Sequence, residues 1–199
     1  MLTVDQVGSR TSRDLVTEGA ADLRTRFGDA LLLGPDRTAG DEFEVVMDAA
    51  GTALAAALHL VRLRTWSVGL GVGPVDLPLP ATAREAAGDA FVRARDAVDR
   101  AKRSPHRFAL AAADRGPLPA VGVEALVDLL LALRERRSPE GWEAADLMAS
   151  EGSQVAVARR LGVTPQAVSL RARAAGVREE LEALPALTAL LAALDGAPA

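Results

Sequence analysis

The stretch TAGDEFEVV, residues Thr38 to Val46, places two adjacent carboxylates, Asp41 and Glu42, directly after a glycine and before an apolar run. A second strand-length apolar run lies upstream, from Ala30 to Leu33, and a turn-rich segment over 34–41 separates the two. Two such runs joined by glycine and aspartate predict a β-hairpin. The two carboxylates at its turn are either ligands for Mg²⁺ or ordinary solvated turn residues.

Strand and helix patterns alternate on both sides of this hairpin. We predict strands over 2–7, 30–33, 43–47, 66–72 and 107–112, and helices over 13–27, 49–63 and 82–103, with Ser12 as the N-cap of the first helix. The order β-α-β-β-α-β-α-β predicts an α+β domain over residues 1–113. We expect a split β-α-β sandwich with its helices on one face of a mostly antiparallel sheet.

The segment DRGPLPAVG over 114–122 contains two prolines and two glycines and predicts a linker. No strand pattern follows it, so residues 123–199 are expected to form an all-helical domain. Ser138 and Pro139 predict a helix start. The last predicted helix, 178–194, carries six leucines and should be interrupted by Pro185. Its apolar surface either packs on the first helix of this domain or forms a dimer contact.

Composition narrows the class of protein. The 199 residues are 49% hydrophobic and include no cysteine, which excludes disulfides, thiolate metal sites and cysteine catalysis. The longest apolar runs are shorter than the roughly 20 residues that span a bilayer. We therefore expect a cytoplasmic protein with no membrane partner.

The stretch QVAVARRLGVTPQAVSLRAR, Gln154–Arg173, has the spacing typical of a helix-turn-helix. A small residue lies four positions before Gly162, and an apolar residue lies six positions after it. Thr164 is placed to cap the second helix, and Pro165 suits the first turn of that helix. We expect a small core made of Val155, Ala158, Leu161 and Val168.

The same stretch is basic in a chain whose net charge is −4. Five arginines and no acidic residue occur from Ser153 to Arg178. Glutamine can bind adenine, and arginine can bind guanine or phosphate, so duplex DNA is the expected partner and the protein is expected at the nucleoid when bound to it. Helix-turn-helix proteins commonly bind paired half-sites, so a homodimer is the expected form. The alternative is a helical bundle with solvated arginines. The candidate DNA contacts are Arg159, Arg160, Thr164, Gln166, Ser169, Arg171 and Arg173, with Arg159 and Arg160 assigned to phosphate.

Four segments of the first domain resemble the class III nucleotidyl cyclase fold, which is related to diguanylate cyclase and polymerase palm domains. VDQVGSR (4–10) resembles the pattern DIVGST, and RTAGDEF (37–43) resembles K-x-x-G-D-x-F. WSVGLGVGPV (66–75) is similar to RIGIHTGEV, and GDAFVRARDAV (88–98) is similar to G-x-x-V-N-x-A-A-R-L. The segments cover about the first 110 residues in the order that the cyclase fold has. Combined with a C-terminal helix-turn-helix, they resemble the SatD-like family, which implies a DNA-binding regulator.

The cyclase resemblance implies a site for Mg²⁺ and a nucleotide. Asp5 and Asp41 match the two metal-binding aspartates, and Glu42 is an extra carboxylate. The amides of Val7, Gly8 and Ser9 would receive phosphate, and Arg37 falls where cyclases place a base-reading lysine.

The transition-state residues of the cyclase pattern are replaced in this chain. Val92 stands at the position of the asparagine, and Asp96 stands at the position of the arginine. Arg93 and Arg95 are expected on other sides of the helix. We therefore expect a sensor or dimerisation domain without turnover. Two interpretations stay open for Asp5, Asp41 and Glu42, namely a nucleotide or Mg²⁺ sensor and a scaffold of turn-capping carboxylates. The alternative function is a divergent metal-dependent cyclase or another nucleotide-binding enzyme.

Overall fold

A computed structural model describes residues 1–38 and 40–196 of the chain, so Ala39 in the hairpin stretch lies outside the described residues. The described residues form an α+β fold with five strands and eight helices. They divide into two compact units. Unit 1 comprises residues 1–128 together with the chain from Leu187 onward, and unit 2 comprises Leu129–Ala186.

The elements over residues 2–111, all in unit 1, follow the predicted order β-α-β-β-α-β-α-β. The strands are β1 (Leu2–Gln6), β2 (Leu33–Arg37), β3 (Glu42–Val46), β4 (Trp66–Gly71) and β5 (Phe108–Ala111). The helices of the described residues are α1 (Val16–Phe27), α2 (Ala50–Arg62), α3 (Asp89–Ala101), α4 (Ala120–Glu135), α5 (Pro139–Glu151), α6 (Gln154–Leu161), α7 (Pro165–Ala174) and α8 (Val177–Leu194).

The five strands form one mixed sheet in the order β2-β3-β1-β4-β5. All neighbouring pairs are antiparallel except β4 and β5, which are parallel and joined through α3. Parallel neighbours need a crossover connection, and the helix between them supplies it. This order places β1 at the centre of the sheet. The C-terminal end of β1 lies beside the β2–β3 turn, where Gln6 N donates to Asp41 O over 3.0 Å.

The helices of unit 1 cover both faces of the sheet, so the predicted one-faced sandwich is wrong. Alternate residues of β4 point to opposite faces. Trp66 packs against Gly19 of α1, whereas Gly69 and Gly71 lie directly beneath the backbone of α3. Helix α2 lies beside α1, because Phe27 and His59 stack edge to face. Two glycines in β4 therefore allow α3 to cover the face opposite α1 and α2.

Strand β2 begins later than the predicted strand over 30–33. It pairs with β3 from Leu33 opposite Val46 to Arg37 opposite Phe43, and the register shifts between Leu33 and Asp36, where Pro35 lies. Proline is tolerated here because β2 is an edge strand and needs only one side of its backbone for pairing. The hairpin turn is therefore shorter than the predicted segment over 34–41.

Two helices begin later than predicted. Helix α1 begins at Val16, and Ser12 does not cap it, because the Ser12 hydroxyl donates to Gly8 O and accepts from the Gln6 amide. Helix α3 begins at Asp89 instead of Thr82. Gly88 before it has φ 129°, a conformation that a right-handed helix cannot include, so 82–87 form a short 3₁₀ turn and extended chain.

The chain passes from one compact unit to the other between Asp128 and Leu129 in α4 and between Ala186 and Leu187 in α8. The first half of α4 belongs to unit 1 because Glu124 accepts a hydrogen bond from Leu110 N of β5 over 2.6 Å and pairs with Arg100 of α3 over 3.0 Å. The end of α8 also belongs to unit 1, where Leu187, Leu191 and Leu194 are buried. These late leucines therefore contribute to a buried core.

Helix α8 continues through Pro185 from Val177 to Leu194, so the predicted interruption is wrong. A proline inside a helix removes one backbone hydrogen bond and costs about 3 kcal/mol. Pro185 is exposed, whereas Leu187, Leu191 and Leu194 after it are buried. Their burial offsets the cost of the proline and keeps the helix continuous.

Candidate functional site

Three short helices of unit 2, α5, α6 and α7, pack on one another. Each begins with a hydroxyl N-cap, because Ser138, Ser153 and Thr164 accept hydrogen bonds from the amides of Gly141, Ala156 and Ala167 over 3.1 to 3.2 Å. Gly162 ends α6 with φ 66°, which is left-handed backbone that favours glycine. The caps predicted at Ser138 and Thr164 and the turn predicted at Gly162 are therefore present.

The core between α6 and α7 is made of Val157, Ala158 and Val168, with Leu161 partly buried against them. Ala158 and Val168 are buried as predicted, but the expectation for Val155 is wrong, because Val155 is half exposed. Helix α6 begins at Gln154, and helical spacing then places 157, 158 and 161 on one side. Leu147 and Met148 of α5 cover this core.

Helix α7 has one buried and one exposed side. Val168, Ala172 and the following Ala175 are buried. The exposed side contains Gln166, Ser169, Leu170, Arg173 and Ala174, which are spaced by three or four residues. A helix repeats every 3.6 residues, so these positions form one continuous face. Of the predicted DNA contacts on α7, this face contains Gln166, Ser169 and Arg173.

Arg171 lies outside this face. Its Nη1 is 3.3 Å from Oε2 of Glu143 on α5, and its side chain is only 29% exposed. Arg160 is similarly paired, with Glu151 at 2.9 Å. Among the described residues, none forms a hydrogen bond or an ion pair with the side chain of Arg159 or with that of Arg173. Both side chains are exposed. The structure therefore divides the four predicted arginines by ion pairing: Arg160 and Arg171 pair with glutamates of unit 2, whereas Arg159 and Arg173 are exposed without such a pair.

The carboxylates of the hairpin lie on the α3 face of the sheet in unit 1. Asp5 of β1 and Glu42 of β3 are directly opposite each other, and Thr3 and Glu44 form the next pair. Lys102, just after α3, places its Nζ 3.0 Å from Oδ2 of Asp5. Burial raises the pKa of the Asp5 carboxyl above its ordinary value, Lys102 opposes that rise, and the charge of Asp41 adds to it.

Arg95 of α3 also faces these strands. Its Nη2 lies 2.8 Å from Oε1 of Glu44 and 3.4 Å from Oε1 of Glu42. Arg95 therefore points toward the carboxylates. The expectation that it lies on another side of the helix is wrong. Arg93 is directed elsewhere, because it donates to Val72 O and pairs with Asp89.

The remaining candidate residues form the loops around the hairpin turn. Ser9 donates its hydroxyl to Oδ2 of Asp41. Arg37 donates to Gly40 O over 2.8 Å and pairs with Asp14 at 2.6 Å, so it joins the hairpin turn to the segment before α1. The Val7 amide donates to Thr65 O, which removes it from the predicted phosphate site. Gly8 has φ 70° and turns the chain after β1, and α1 begins only eight residues later.

This arrangement does not fit two Mg²⁺ ions held as in a cyclase. Asp5 is neutralised by Lys102, and Asp41 is bound by Ser9. No group of three or more His, Asp or Glu side chains among the described residues is arranged to hold a metal ion. Val92 and Asp96, at the positions of the transition-state residues, are both exposed. An acid and an apolar side chain cannot stabilise developing negative charge on phosphate.

Three charged residues here were missed in the sequence, although spacing could have found two of them. Glu44 follows Glu42 by two positions and so shares its face of the strand. Lys102 follows Arg95 by seven positions and so shares its side of the helix. Glu143 gives no comparable signal, because it meets Arg171 only through the packing of α5 on α7.

Comparisons with known proteins leave the family open. No protein-family model, no curated protein and no solved structure matches the chain. Among the helices of the described residues, none is long and apolar enough to cross a membrane.

Proposed function

We propose that this protein is a DNA-binding transcriptional regulator whose α6 and α7 form a helix-turn-helix. Helix α7 enters the major groove with its exposed face, and Arg159 on α6 contacts a phosphate. Two copies bind paired half-sites, as helix-turn-helix proteins commonly do. Unit 1 serves as a non-catalytic sensor or dimerisation domain with a cyclase-like order of elements.

The exposed face of α7 carries this proposal. It presents Gln166, Ser169 and Arg173 with no acidic side chain among them. Glutamine and arginine are the side chains that bind adenine and guanine edges in the major groove. The buried side of the same helix is fixed on α5 and α6 through Val168 and Ala172, so the polar face is held by a rigid core.

Charge in unit 2 supports the same proposal. Glu143 and Glu151, which lie near the arginines, are paired with Arg171 and Arg160. These pairs leave Arg159 and Arg173 as uncompensated positive charges on α6 and α7. Positive side chains bind the phosphate backbone by releasing its counterions, which makes binding depend steeply on salt.

The non-catalytic role of unit 1 rests on the partners of its carboxylates. Asp5 is paired with Lys102, and the Glu42 carboxylate accepts from Thr38 and contacts Arg95. A metal ion at Asp5 would have to displace the Lys102 ammonium, and one at Glu42 would be repelled by the Arg95 guanidinium. The arrangement therefore supports a scaffold or sensor and gives no specific support to the alternative of a cyclase.

The test uses the full chain and a 30-base-pair duplex of mixed sequence at low salt. We expect binding that weakens steeply between about 50 and about 200 mM salt. The double variant Arg159→Ala/Arg173→Ala should bind at least tenfold more weakly and show a shallower salt dependence, because each phosphate contact contributes about 0.9 to the slope.

The matched control is Arg26→Ala/Arg103→Ala, which removes the same charge from exposed positions of unit 1. It should leave the dissociation constant within about twofold. No binding of the wild-type chain to the duplex at low salt, or equal weakening by both double variants, would contradict the proposal.

A further inference from the structure

Leu170 lies at the centre of the exposed face of α7. The side chain is 68% exposed, and it contributes little to the core that buries Val168 and Ala172. Gln166 lies four positions before it and Arg173 three positions after it, so Leu170 is adjacent to both on the helix surface. An apolar residue therefore occupies the middle of a face whose neighbours are hydrogen-bonding side chains.

The chemistry of the major groove gives this position a specific counterpart. Each base pair presents hydrogen-bond donors and acceptors there, but of the four standard bases only thymine presents an apolar group, its 5-methyl. A leucine has no polar atom with which to bind the other edges. If α7 lies in the groove, the group that Leu170 can contact favourably is the thymine methyl.

The spacing of Leu170 and Gln166 fits neighbouring base pairs. Residues four apart on a helix have Cβ atoms about 5–6 Å apart, and successive base pairs are about 3.4 Å apart along each strand. Glutamine binds adenine through two hydrogen bonds in the major groove. Both side chains therefore favour A·T pairs, one through the adenine edge and the other through the thymine methyl.

We propose that α7 recognises a site containing A·T pairs through contact of the Leu170 side chain with a thymine 5-methyl group. This inference rests on the proposed function and names the chemistry that α7 reads. Gln166 contacts an adjacent adenine, and Arg173 sits on the same face toward guanine or phosphate.

The experiment begins with a duplex selected from a randomised pool by the full chain. Each thymine of that duplex is then replaced, one at a time, by uracil, which removes only the 5-methyl group and leaves every hydrogen-bonding atom in place. We expect one thymine in each half-site at which the replacement weakens binding about fourfold, the amount that corresponds to loss of one buried methyl contact.

The variant Leu170→Ala tests the residue itself. It should bind the thymine and uracil duplexes with equal affinity at that position, because the side chain that distinguishes them has been shortened. Leu181→Ala is the matched control, since Leu181 is also an exposed leucine of unit 2, on α8. This control should keep the fourfold difference. The unfolding midpoints of both variants should match the wild type, because neither side chain is buried.

The outcomes separate this inference from the function on which it rests. If the selected duplex binds tightly but tolerates uracil at every position, the proposal that α7 recognises a thymine 5-methyl group is overturned. The proposal that the protein binds DNA would still stand. Retention of the fourfold difference in Leu170→Ala overturns the role of Leu170 alone. Failure of the wild-type chain to bind any duplex overturns the proposed function itself.

Discussion

Arg95 on α3 places its Nη2 2.8 Å from Oε1 of Glu44 on β3, and this pair joins the helix to the sheet. The two partners differ in exposure, because the Glu44 side chain is only 4% exposed and that of Arg95 is 59% exposed. Burial raises the pKa of the Glu44 carboxyl above its ordinary value of 4.5, and the Arg95 charge opposes that rise.

We predict that Arg95→Met makes stability strongly dependent on pH. The folded protein binds the Glu44 proton more tightly than the unfolded chain, so the free energy of unfolding falls as pH rises from 4.5 through the raised pKa. Without Arg95 that pKa rises further, and the fall extends to higher pH. In urea unfolding of the variant, the free energy of unfolding should be about 1–2 kcal/mol lower at about pH 8 than at about pH 5. This difference is smaller than for a fully buried ion pair, because Arg95 is partly in water.

The control for this prediction is Arg95→Met/Glu44→Gln, in which the buried carboxylate is absent. Its unfolding free energy should be nearly independent of pH over the same range. Equal pH dependence in the single and double variants would show that Glu44 is not the titrating group.

Gly69→Ala is predicted to disrupt unit 1. An added Cβ would overlap the Val98 amide nitrogen and the Ala94 carbonyl oxygen, which are backbone atoms and cannot rotate away. We expect a loss of about 3 kcal/mol or more in urea unfolding, at the upper end of the costs of overpacking. Gly28→Ala is the control, since nothing lies within 4 Å of a Cβ at that position. Its stability should stay within about 0.5 kcal/mol of the wild type.

Thr164→Ala is predicted to destabilise unit 2 by about 1 kcal/mol, because the first turn of α7 loses the hydroxyl that accepts from Ala167 N over 3.2 Å. Thr164→Ser keeps that hydroxyl and should lose only a few tenths of a kcal/mol. Unfolding monitored by helical circular dichroism measures both. If serine is as destabilising as alanine, the loss comes from the side-chain methyl and not from the cap.

The buried Arg137 is predicted to be the most sensitive charge of unit 2. Its side chain is 2% exposed, it donates to Ala175 O over 2.7 Å and pairs with Glu180, and its guanidinium lies 4.8 Å from the centroid of the Trp142 ring. Arg137→Met should cost about 3 kcal/mol, because it leaves the Glu180 carboxylate with fewer partners.

The exposed pair Arg178 and Glu182 provides the comparison for Arg137. The two side chains are 82% and 64% exposed and lie one turn apart on α8. Arg178→Met should change the unfolding free energy by less than about 0.5 kcal/mol. Similar losses in Arg137→Met and Arg178→Met would contradict the ranking by burial.

Much of the architecture followed from local patterns. The order of strands and helices in unit 1 was predicted from apolar periodicity, and the caps of unit 2 were predicted from Ser138, Thr164 and Gly162. These features depend on residues that are close together in the sequence, so they can be predicted without knowledge of the fold. The DNA-binding and cyclase-like interpretations stay predictions.

The errors share one physical cause. Local spacing did not show which face of the sheet α3 covers, because that choice depends on the close approach of its backbone to Gly69 and Gly71. It also assigned Arg171 to the DNA face, whereas packing of α5 on α7 brings Glu143 within 3.3 Å of it. Both results depend on residues far apart in the chain.

The sequence by itself determined the alternation of elements, the hydroxyl caps and the basic character of Ser153–Arg178, since each depends on short-range spacing and composition. Only the tertiary structure decided which charges are neutralised. It placed Lys102 on Asp5 and Arg95 on Glu44, and it left Leu170 exposed beside Gln166. Ion pairing and burial depend on which surfaces come into contact when helices pack, and local sequence spacing does not specify those contacts.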